Sequence, residues 1–130
     1  MGVLVLAVAV VSAWWLFVGS DTTYQYDANG VASGPYEVPQ VLGCVLVVAV
    51  LTFGAALLLP GWVVAAVVTV AITAAWSVHA SAGDVTGLWA VGAVGVFLGT
   101  LVGSVVVAFL AEALRQGRLH RSHRWPERPR

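Results

Sequence analysis

The run LWAVGAVGVFLGTLVGSVVVAFLAEAL, Leu88 to Leu114, decides how the whole chain is read. It carries no charge before Glu112, and about 20 apolar residues suffice to cross a hydrocarbon core of ~30 Å. A membrane-spanning helix is therefore expected over about residues 88–110. Within it Gly95, Gly99 and Gly103 recur every four residues, and Gly92 falls on the same side, inside an arc of roughly 80° on an ideal helix. Each glycine costs a helix in water about 1 kcal/mol relative to alanine. In lipid, where helices have no hydrophobic drive to associate, small residues repay that cost by letting backbones approach closely. The ridge is read as a helix-packing face, and bulk at Gly99 is expected to disturb assembly.

The rest of the chain repeats the pattern. Its 130 residues are 60% hydrophobic and 9% charged, with a mean hydropathy of +0.93, far from soluble proteins with roughly a quarter charged residues. Further spans are expected at about 3–19, 41–59 and 62–78, completing a four-helix membrane bundle over residues 1–114. The first lacks a basic flank and a good small-residue cleavage pattern, which favours an uncleaved helix over a signal peptide. Pro60-Gly61 leaves only a two-residue turn between the second and third spans, so these two are expected to be antiparallel neighbours. On the third, Ala65, Thr69, Thr73 and Ser77 step by four, covering an arc of about 120°. This small, hydroxylated stripe is the expected partner of the glycine ridge, with the same ridge of a second copy as the alternative.

The polar stretch 20–39 cannot lie in hydrocarbon. Thr22 to Tyr26 is rich in strand formers, Asp27-Ala28-Asn29-Gly30 signals a turn, and Val31 to Glu37 could return, so a small extracytoplasmic β-hairpin-like loop is expected there. A second polar loop is expected over 80–87. Asp21, Asp27, Glu37, His79 and Asp84 would share the outer side as a candidate polar site, although their spacing matches no cation-binding loop and turn chemistry accounts for them.

All six basic residues are arginines in the last sixteen positions. Basic residues near a span end stay cytoplasmic, so the tail 115–130 is placed inside, and an even number of spans places the N-terminus inside as well. Arg115, Arg118, Arg121, Arg124 and Trp125 suit contact with anionic lipid or a partner. Glu112, one turn before Arg115, is read as an interfacial ion-pair partner rather than a proton relay. The lone Cys44 lies in an apolar run, where a thiol acts as a small hydrophobe.

Catalytic and metal motifs are missing, and no cofactor or nucleic acid is expected. Tyr24-Gln25-Tyr26-Asp27, followed by Ser33-Gly34-Pro35-Tyr36-Glu37 leading into a span, resembles the loops of small uncharacterised four-span integral membrane proteins of high-GC bacteria. That resemblance implies the four-span layout and transfers no catalytic residue. Small multidrug exporters, another four-span class, differ in carrying an acid within the first span. The expected function is that of a non-enzymatic structural or accessory protein of the cell membrane, within a homo-oligomer or beside a larger membrane partner. A small oligomeric channel or transporter, with a polar path along the third span, is the alternative.

Overall fold

The computed structural model describes residues 1–20, 25–26, 28–29, 32–33, 38–84 and 87–122. Four helices in it are long and apolar enough to cross a membrane. Helix α1 (Gly2–Trp14) runs on through a π-helical turn, Trp15–Gly19, in which the Ser20 N–H reaches back to Trp15 O at 3.0 Å. Strands β1 (Gln25–Tyr26) and β2 (Ala32–Ser33) pair antiparallel, Gln25 opposite Ser33 and Tyr26 opposite Ala32. Most of the remaining loop, with Asp21, Asp27 and Glu37, lies outside the described residues.

Helix α2 (Val38–Ala56) has Pro39 in its first turn, where an amide proton has no helical acceptor to lose. Its last turn tightens through the Leu58 N–H to Ala55 O bond of 3.0 Å, and Pro60, extended at φ −58° and ψ 130°, ends the descent. Helix α3 (Gly61–Gly83) starts at the next residue and runs five residues beyond the expected span. The expected loop 80–87 is thereby shortened, because Ala80, Ser81 and Ala82 simply extend the helix; each added residue gains a hydrogen bond with no new nucleation cost. Gly87, at φ 77°, makes the turn that leads into α4.

Helix α4 (Trp89–Ser122) is 34 residues long, about 51 Å at 1.5 Å per residue, and so outruns the expected span at its C-terminal end. The backbone of Arg115, Arg118 and Arg121 is part of this helix, whereas Arg124 and Trp125 lie outside the described residues.

In cross-section the helices follow the cyclic order α1, α2, α4, α3. The second and third spans touch, as the Pro60 turn that joins them leads one to expect, yet each has a larger contact with α4 than with the other. The reason is residue size. Ala65, Thr69 and Val68 of α3 and Ser104, Ala108 and Ala111 of α4 are the buried side chains that let those two helices approach. Val10 and Trp14 of α1 complete the core with Val64, Val68 and Ile72.

Candidate functional site

Three constellations tie the bundle together, one at each end and one at mid-depth. At the end that carries the Pro60 turn, α3 begins without a capping side chain of its own, since the proline ring carries no acceptor. Glu112 of α4 supplies one: its Oε1 accepts the Gly61 N–H at 2.8 Å. A carboxylate here meets both an orphan amide and the positive end of the helix dipole. A Cβ on residue 61 would stand 2.7 Å from that same oxygen, so a larger residue there would make the Glu112 carboxylate shift. The expected Arg115 partnership is therefore replaced by a tertiary cap, and Arg115 itself is exposed.

At mid-depth the Ser104 hydroxyl donates to Thr100 O at 2.6 Å and stands 3.2 Å from Thr69 Oγ1, which then donates to it across the seam. Both side chains are buried, at 5% and 2% exposure. Ser104 Oγ also lies 3.5 Å from Ala65 O. Thr52 and Thr100 return their hydroxyls to their own helices, at 2.7 Å to Val48 O and 2.6 Å to Val96 O. Among the described residues Thr73 Oγ1 is the one buried side-chain oxygen with no hydrogen-bond partner.

At the opposite end His79 stands edge-on to two indoles, with ring centroids 5.6 Å from Trp14 and 6.3 Å from Trp15. Asp84 Oδ2 accepts the Trp89 N–H at 2.7 Å and so caps the start of α4. Of the candidate outer polar site, His79 and Asp84 are thus engaged locally, while Asp21, Asp27 and Glu37 fall outside the described residues. No three His, Cys, Asp or Glu side chains among the described residues form a metal-binding group.

The glycine ridge divides. A methyl on Gly92 would run into the Trp76 ring, so here the helices do meet closely. Gly95, Gly99 and Gly103 have nothing within 4 Å of where a Cβ would sit. Their expected match to Ala65, Thr69, Thr73 and Ser77 within the chain is therefore not made, and the stripe meets α4 instead through Ser104. Sequence reading passed over Ser104, Ala108 and Ala111, although their i, i+4, i+7 spacing was the available signal. The louder glycine repeat obscured it.

Gly99 and Gly103 open instead onto a cavity of about 410 Å³ lined by all four helices. Its floor includes the buried Val68 and Ile72 of α3, and its exposed lining residues are Val41 and Val45 of α2 and the two glycines of α4. Its lining contains no charged residue.

Sequence and geometry together define a class, a four-helix bundle whose helices are all of membrane-crossing length and hydropathy. Comparison of the chain with protein-family models, with curated proteins and with solved structures found no match.

Proposed function

We propose that the chain is a non-enzymatic, multi-pass protein of the cell membrane that acts as a structural or accessory subunit, with both termini cytoplasmic. The carrying observation is that four hydroxyls of the spans are used within the bundle: Thr69 with Ser104, and Thr52, Thr100 and Ser104 with backbone carbonyls of their own helices. Hydroxyls spent this way leave no continuous polar path across the membrane. The faces turned away from the core support the membrane placement, since Leu46, Val50, Val102 and Phe109 are more than half exposed and would suit lipid far better than water.

Contacts then fall to the two ends. The outer loop, which we read as a small hairpin around the Tyr26–Ala32 pair, would meet a larger membrane partner or a second copy. The arginine-rich end suits anionic headgroups, each basic residue contributing about 1 kcal/mol near the surface. The layout is also what the resemblance to small four-span proteins of high-GC bacteria implies.

A channel or transporter is the rival reading, and Thr73 Oγ1, buried without a partner among the described residues, is the feature that favours it. One such hydroxyl does not make a pathway. Purified protein in sealed vesicles should pass ions and small polar solutes no faster than empty vesicles do; a saturable or gated flux would reject the accessory reading. Sidedness is tested by a reporter fused after Arg130, which is expected to be active only when it reads out the cytoplasm.

A further inference from the structure

We propose that the cavity bounded by Gly99 and Gly103 is a lateral slot that binds a single acyl chain of a bilayer phospholipid. The inference rests on the membrane-embedded reading above. The exposed residues of the cavity's lining are Val41 and Val45 on α2 and Gly99 and Gly103 on α4, which places its opening on the α2–α4 side, while Val68 and Ile72 of α3 are buried behind. Its lining on α2 extends from Val41 to Thr52 and on α4 from Val96 to Val107. Eleven helical steps cover ~16 Å, which is about the depth of one leaflet of a ~30 Å core.

The lining selects the occupant. A lining that is largely apolar and uncharged over ~16 Å, in a bundle whose neighbouring outer faces are apolar, suits a single file of methylenes with neighbouring carbons ~4 Å away. Water is disfavoured because Thr52, Thr100 and Ser104, the hydroxyls on the wall, already donate to backbone carbonyls. The glycines supply the width. With nothing within 4 Å of a Cβ at either position, a larger side chain there would extend into the slot instead of displacing a helix.

The test uses the full chain in phosphatidylcholine and phosphatidylglycerol vesicles doped with a phosphatidylcholine that carries a diazirine on its acyl chain. After irradiation, adducts are mapped by mass spectrometry. Adducts are expected on the floor residues Val68 and Ile72 as well as on the outward-facing Leu46 and Val50. Gly99→Leu and Gly103→Leu should each lose the floor adducts while keeping those at Leu46 and Val50, which also reports that the variant is folded and inserted. Gly95→Leu, on the same ridge but outside the slot, should keep both sets. Outer adducts without floor adducts in the unaltered chain would overturn the slot alone. Floor adducts that persist in both leucine variants would do the same, as would a floor protected by an intermolecular disulfide through Gly99→Cys. Absence of adducts at Leu46 and Val50 would instead reject the membrane reading and the slot with it.

Discussion

A carboxylate one turn ahead of an arginine invites an ion pair, yet Glu112 meets a more specific demand. Pro60 cannot cap α3, and the amide of Gly61 is satisfied only because α4 passes close enough to offer an oxygen. Glu112→Ala should lower stability by about 0.5–2 kcal/mol, the usual range for a lost cap, read as a lower unfolding midpoint in detergent. Glu112→Gln, which keeps an acceptor, should recover much of that loss. Equal midpoints for the native chain and the alanine variant would make the cap incidental. At mid-depth, a double-mutant cycle of Thr69→Val and Ser104→Ala should give a coupling near the ~0.6 kcal/mol typical between membrane helices. Neither pair was legible in the sequence. Their members lie 51 and 35 residues apart, and the register that joins them belongs to two helices at once.

At the scale of the helix, the four spans were legible because length and hydropathy alone demand them, but their ends were not. Polar residues such as His79 and Ser81 read as loop, and helix elongation carried them into α3 all the same. The glycine repeat on α4 was equally visible, and its meaning was misread because periodicity reports a shared side without reporting what faces it. Gly92 lies under the Trp76 ring, whereas Gly95 and Gly99 face open space. Gly92→Ala should therefore destabilise the bundle, and Trp76→Leu in the same chain should relieve part of the loss by removing the ring. Gly95→Ala and Gly99→Ala should leave the thermal midpoint unchanged or slightly raised, since alanine is the better helix former by about 1 kcal/mol. A loss at Gly99 equal to that at Gly92 would restore the packing role first read for the whole ridge.

For the molecule as a whole, the cyclic order α1, α2, α4, α3 puts small residues where α3 and α4 touch and leaves a cavity beside Gly99 and Gly103. Connectivity hid this arrangement, because the tight Pro60 turn suggests that α2 and α3 are partners while small side chains make α4 the neighbour of both. The central claim is a bundle in which the Thr69 and Ser104 hydroxyls serve its own structure and water has no path along the third span. Cysteine accessibility tests it most directly, with Thr69→Cys and Thr73→Cys introduced one at a time into a Cys44→Ala background. Thr69 is 2% exposed and bonded across the seam. Neither thiol should react with a membrane-impermeant, water-soluble reagent added from either side, and both should react once the protein is unfolded. Ready labelling of the folded protein at either position would mean that water reaches the third span, and would contradict the account.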